Sequence, residues 1–413
     1  MTKLLLFSVF ALILFGFPAL VAQPATTSSI KNTSNTLAES TTLRYGKPED
    51  VGLDSSKLLL IDDILRDAVR DSVFPGAVAA VVKDGVMIYR QEMGYHDYEK
   101  TKKVKNSDVF DLASITKVVS TTTAIMKLID DGKLSLNDQV RIFIPEFNTE
   151  EKGQITIQDL LLHQSGLPAF RVYVDTLKDR NSIINAIKNE PLTYQTGTTY
   201  IYSDLGMILL AEIVTIVTKQ PIDDFMRSEF YEPMGMSGAY FNPKNVGLWY
   251  VDRIPPTEID TIYRDKLILG EVHDERAYYL EGIAGHAGLF ASVEDLAVYS
   301  SMLLNEGVYN GKRYLSAEII QEFTSKQSEI SGRGFGFDRK QLTGFTTAGE
   351  LASNDTFGHL GFTGTSFWID REKNMAVILL TNRTYPYRSY GKKISRIRAA
   401  VADAAFSALI MSK

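Results

Sequence analysis

The 413-residue chain contains no cysteine. That absence excludes a disulfide framework, a thiolate zinc site and a cysteine nucleophile, so the fold rests on its core alone. Histidine is scarce as well: there are five, with no H-E-x-x-H and no other pair at metal-ligand spacing. No Lys/Arg block exceeds two or three residues, and the formal net charge is −6. This balance speaks against nucleic acid or an anionic membrane as the main partner, because both reward clustered cations. A G-x-S-x-G elbow is missing, and no glycine loop follows a strand to cradle a phosphate, so a common α/β-hydrolase and P-loop chemistry are both disfavoured. What remains is ordinary globular composition, 45% hydrophobic and 23% charged, in a chain long enough for a sizeable core.

The N-terminus points to a compartment. Lys3 precedes an uncharged apolar run, Leu4 to Val21, that holds Pro18 and ends in small residues at Ala19 and Ala22. This pattern predicts a secretory signal peptide over residues 1–22, and hence a periplasmic or secreted protein. The alternative is an uncleaved anchor, since the run nearly matches a bilayer span. Residues 23–42 are rich in Ser, Thr, Asn and Ala and lack aromatics, which predicts a disordered linker before a folded domain over 43–413.

Periodicity gives the coarse architecture. Asp54 is placed to cap a helix with Leu58, Ile61, Leu65 and Val69 on one stripe. Gly76 to Val82 and Val86 to Tyr89 read as a hairpin around Lys83-Asp84-Gly85. Ser366 to Asp370 and Met375 to Thr381 read as a second hairpin, followed by an alanine-rich helix over about 392–410. The stretch 114–330 is mainly helical in pattern, and 332–364 reads as short strands and turns. The simplest fold is α/β of the α+β type: one antiparallel sheet made by both chain ends, flanked by the N- and C-terminal helices, with a helical region inserted.

Three short motifs can carry chemistry. In Ser114-Ile-Thr-Lys117 the two functional side chains lie about one helical turn apart and share a face. A serine hydroxyl needs a base, and a lysine can serve if burial or a nearby cation lowers its pKa. S-x-x-K occurs three times, at Ser28/Lys31, Ser114/Lys117 and Ser389/Lys392. Only Ser114 opens a strongly apolar helix, where an idle lysine would be costly. Tyr202 leads Ser203 and Asp204 into the apolar stretch Leu205 to Val217; a phenol there can carry a proton, though alone it reads as a packing residue. His359-Leu-Gly361 precedes Phe362 and the Ser366 strand. A glycine there would let a substrate backbone approach an edge strand, while the plain alternative is a turn histidine.

In this order the three motifs resemble the serine β-lactamase and penicillin-binding superfamily, whose class C β-lactamases, D-alanyl-D-alanine carboxypeptidases and β-lactamase-like esterases are the nearest relatives. The strings Leu160-Leu-Leu-His-Gln-Ser-Gly-Leu-Pro168, Gly197-Thr-Thr-Tyr-Ile-Tyr-Ser-Asp204 and Glu232-Pro-Met-Gly-Met236 are similar to that superfamily too. The resemblance implies a β-lactamase-like fold in which Ser114 is acylated, Lys117 assists and Tyr202 shuttles a proton. It further implies an oxyanion hole from the backbone N–H groups of Ser114 and Phe362, with Asp204, His359 and Gly361 contacting substrate. It implies no metal and no cofactor. The substrate class is a small molecule or a peptidoglycan stem peptide of the D-Ala-D-Ala type, with esters next; a β-lactamase and a non-catalytic penicillin-binding sensor are the alternatives. Oligomeric state stays open.

Two positions depart from the β-lactamase pattern. Asp204 stands where those enzymes carry asparagine, and a carboxylate there would favour the ammonium form of Lys117. His359 replaces a fixed cation by a group mostly neutral at pH 7. Gly270-Glu-Val-His-Asp-Glu-Arg-Ala277, with Gly285-His-Ala-Gly288 after it, resembles a segment of penicillin-binding protein 4B-like carboxypeptidases. There His273 is a candidate to line the site, or a loop histidine satisfied locally.

Overall fold

The computed structural model describes residues 41–388 and 393–410. The expected leader, the expected linker up to residue 40 and the Ser389/Lys392 motif lie outside these residues.

A seven-stranded sheet organises the chain. Its strands are β1 (Arg44–Tyr45), β2 (Gly76–Lys83), β3 (Val86–Gly94), β11 (Asp338–Arg339), β12 (Phe357–Leu360), β13 (Ser366–Asp370) and β14 (Met375–Thr381), in the order β1-β3-β2-β14-β13-β12-β11. Ala77 pairs with Thr381 and Lys83 with Met375, so the two chain ends zip together at the sheet's centre. All neighbours are antiparallel except β1 and β3, which run parallel, a small correction to the expected purely antiparallel sheet. Between these strands lie a three-stranded sheet of β4 (Val109–Asp111), β5 (Tyr240–Phe241) and β8 (Leu289–Ser292), and two ribbons: β6 (Glu258–Asp260) with β7 (Lys266–Ile268), and β9 (Val308–Tyr309) with β10 (Lys312–Arg313).

Strand alternation separates two cores. Val78, Ala80 and Val82 of β2, with Ala376, Ile378 and Leu380 of β14, face the large helical region. Their alternates Ala77, Ala79, Val81, Val377 and Leu379 face the terminal helices Ser55–Arg70 and Ile394–Ser407. The first of these is capped by Asp54, whose carboxylate accepts from Ser56 N, and buries Leu58, Ile61, Leu65 and Ala68. Val69, expected on that stripe, is half-buried. The segment after β4 is not a single α-helix: a 3-10 turn (Ala113–Ile115) and a π-helical stretch (Lys117–Thr122) precede the α-helix Thr123–Asp130. Among the described residues no single helix is long and apolar enough to cross a membrane.

Candidate active site

Ser114 sits where β4 runs into that 3-10 turn. Ala113 before it adopts φ +47°, a left-handed conformation that costs an L-residue roughly 1–2 kcal/mol. The buried Asp111 carboxylate holds the bend by accepting from Ala113 N at 2.8 Å. Lys117 is fully buried, and its Nζ donates to Ser114 Oγ and to His286 O, each at 3.0 Å. A third partner is Asp204 Oδ1 at 2.8 Å. Burial alone would push the Lys117 pKa down, but Asp204 and the Tyr202 hydroxyl outweigh it and the net direction is up. Lys117 is therefore an ammonium in the resting site, and the lysine-as-base expectation yields to the Asp204 effect anticipated from the sequence.

Asp204 opens the helix Asp204–Thr218, behind the N-cap Ser203. Burial raises its pKa, but Lys117, His286 and Arg276 lower it further, so it is a carboxylate. Tyr202, just before the helix, is ringed by His163 at 4.6 Å and His359 at 6.0 Å between ring centroids. Lys117 Nζ lies 4.9 Å and the Arg333 guanidinium carbon 5.7 Å from the Tyr202 ring centroid.

His359 is buried on β12, with Nδ1 at 2.8 Å from Leu360 O. Burial, then Arg333 and Lys117, push its pKa well below the usual histidine value, so it is neutral. The cation on this side is Arg333, which the sequence reading missed. It is buried, ion-paired to Asp338, and its Nη2 donates to Gly336 O at 2.9 Å.

Gly361 follows β12. A Cβ there would collide with Leu112 O and Thr365 Oγ1, so the chain's own packing requires a glycine at this position. Thr363 Oγ1 donates to Asp111 O at 2.6 Å and Thr365 Oγ1 to Leu112 O at 3.2 Å, tying this turn to the segment that carries Ser114. Arg398 of the C-terminal helix braces it from behind, donating to Gly361 O at 2.6 Å and Thr365 O at 2.8 Å. The Phe362 N–H has no acceptor among the described residues, so it is free to meet an oxyanion.

His273 is buried beside this turn, its ring 5.5 Å from that of Phe362. Its backbone N–H donates to Asp111 Oδ2 at 2.6 Å, and Nε2 lies 2.8 Å from Glu258 Oε2, off the line of the ring N–H. Its backbone amide is thus satisfied, its Nε2 makes no hydrogen bond among the described residues, and its ring stands next to the Phe362 turn. Asp204, Asp274 and His286 bring ligand-type atoms within 4.8 Å of one another. The cations set against these carboxylates are Lys117 and Arg276.

A family model described as Beta-lactamase matches residues 61–402. An Escherichia coli (strain K12) protein described as "Putative D-alanyl-D-alanine carboxypeptidase" is 34% identical over 375 residues, spanning 83% of this chain and 86% of its own. A Salmonella agona (strain SL483) protein of the same description is 32% identical over 375 residues, with the same 83% and 86% coverage. Among solved structures, a penicillin-binding protein homologue from Caulobacter crescentus superposes with a TM-score of 0.69 at 19% identity, covering 86% of this chain and 98% of that one. A class C beta lactamase does so at 0.68 and 17% identity, covering 86% and 98%. With a serine–lysine–tyrosine constellation on this fold, the chain belongs to the β-lactamase family of serine hydrolases.

Proposed function

We propose that the protein is exported and cleaves small peptides ending in D-alanyl-D-alanine, working through an acyl-Ser114 intermediate. The observation that carries this reading is Ser114 Oγ held 3.0 Å from the fully buried Lys117 Nζ, which also lies 4.9 Å from the Tyr202 ring centroid. Curated relatives at 32–34% identity support the peptide class through their description as carboxypeptidases. The apolar run behind Lys3 supports export.

In this reading Lys117, an ammonium, orients the Ser114 oxygen and Tyr202 takes the hydroxyl proton. Lys117 and Arg333 are the charges that balance the phenolate form of Tyr202 that accepts this proton. The Ser114 oxygen attacks the penultimate D-Ala carbonyl, and the oxyanion falls between the N–H groups of Ser114 and Phe362. Collapse breaks the peptide bond, and Tyr202 returns the proton to the departing amine. Water then attacks the acyl-enzyme, giving a proton to Tyr202, and Tyr202 passes it to the departing Ser114 oxygen, which restores the hydroxyl. Asp204 offers no amide N–H to a lactam side chain, so β-lactams turn over slowly and short activated esters faster.

The test is intact-mass spectrometry after exposure to a D-Ala-D-Ala peptide, a p-nitrophenyl ester and a β-lactam, with product analysis. An acyl adduct on Ser114 and released D-alanine are expected, and both vanish in Ser114→Ala. Turnover that persists in Ser114→Ala sinks the reading. An adduct that never turns over would favour the sensor.

A further inference from the structure

The two sequence strings around His273 and His286 converge behind the nucleophile. Lys117 Nζ meets Asp204 Oδ1 at 2.8 Å, and Asp204 Oδ2 meets Arg276 Nη2 at 2.8 Å. The same Nη2 reaches Asp274 Oδ2 at 2.8 Å, and Asp274 Oδ1 lies 2.9 Å from His286 Nε2. His286 O accepts from Lys117 Nζ at 3.0 Å and closes the ring. Three segments are held for this purpose. Asp204 heads its helix, and Asp274 caps the helix Glu275–Tyr279 by accepting from Arg276 N and Ala277 N. Gly285 lets the His286 carbonyl in, since a Cβ there would strike Met207 O.

We propose that Arg276 and Asp274 are positioning residues that act through Asp204 to set the pH at which Ser114 acylation turns on. The inference rests on the acyl-serine reading above. The physical reason is charge sharing. One carboxylate, Asp204, is divided between two cations, Lys117 and Arg276, while Asp274 balances Arg276 from the far side. Removing Arg276 leaves Asp204 to Lys117 alone and adds net negative charge, which strengthens the hold on the site's protons. Removing the Asp274 charge frees Arg276 to draw on Asp204 and weakens that hold. The two substitutions therefore push in opposite directions, and together they cancel. Groups that also face the ring stay in place. They are Tyr202 with His163, His359 and Arg333 on the Ser114 side, and Glu275 with Arg388 beside Arg276. Asp111 acts on Asp274 from β4.

Pre-steady-state acylation by a p-nitrophenyl ester, followed from pH 5 to 10 on the whole protein, tests this. In Arg276→Gln the rising limb moves to higher pH, and the rate at pH 6.5 relative to the plateau falls by about tenfold, the weight of one partly screened charge. In Asp274→Asn the limb moves to lower pH, and in the double variant it returns to the wild-type position. Arg276→Lys keeps the charge and keeps the limb, which separates charge from packing. Single variants that move the limb the same way, or leave it unmoved, overturn the inference while wild-type acylation of Ser114 stands. A wild type that forms no Ser114 adduct overturns the functional reading and this inference with it.

Discussion

Asp204→Asn is the most direct probe of the charge on Lys117. The Nζ–Oδ1 separation is 2.8 Å, with Lys117 fully buried and the Asp204 side chain 15% exposed. At an effective dielectric near 20, opposite unit charges at that distance attract by about 6 kcal/mol. If solvent and relaxation screen three-quarters of that, about 1.5 kcal/mol survives, or slightly more than about tenfold in the ratio of neutral to protonated site. Asparagine keeps an acceptor toward Nζ, so the geometry is preserved while the charge goes. The rising limb of acylation should move to lower pH, and the rate at pH 6 relative to plateau should rise at least about tenfold. The same change leaves Lys117 and Arg276 facing Asp274 alone, so stability should fall by about 3 kcal/mol, the scale of a broken buried pair. Stopped-flow acylation across pH 5–10 reads the first effect and urea unfolding the second. A limb that stays put or moves to higher pH would refute the placement of the charge, because burial would then be the term that governs Lys117.

Arg398→Met strips three backbone carbonyls of the Gly361–Thr365 turn of their donor; we expect a loss of about 3 kcal/mol in urea unfolding and a lower kcat, with Arg398→Lys recovering part of each. Glu258 is pushed up by burial but pulled down further by His273 and Arg388, from 4.5 to about 2. A depressed carboxyl stabilises the fold above its unfolded value and loses that contribution as pH falls toward the folded one. Glu258→Gln should therefore cost about 2 kcal/mol at pH 7, after allowing for screening, and flatten the stability profile between pH 4.5 and 2; an acid arm as steep as wild type would contradict this.

The parts legible in the sequence were those written in local pattern. The hairpin β13–β14 falls at residues 366–370 and 375–381 as read, because every residue of both strands is buried and the turn between is polar. The Ser114–Lys117 spacing survives even though the backbone is not α-helical there, since Ser114 lies in a 3-10 turn, whose winding brings residues three apart to one side, and the π stretch begins only at Lys117. The β1–β3 pairing was invisible: two residues carry no periodicity. Arg333 stands between two glycines and carried no signal for the same reason.

The charge ring behind Ser114 escaped the sequence for a different cause. Its members span residues 117 to 286, and nothing local in any one string names a partner in another. The sequence posed the question of Lys117 correctly, as burial against a carboxylate, but the two effects have opposite sign and comparable size. Only the 2.8 Å contact decides between them. The replacement of asparagine by Asp204 is then understandable with Arg276, since removing either charge alone leaves the buried ring with one unbalanced charge of the other sign. On that argument Arg276 and Asp204 form one functional unit, and Asp204→Asn with Arg276→Gln should be better tolerated than either change alone.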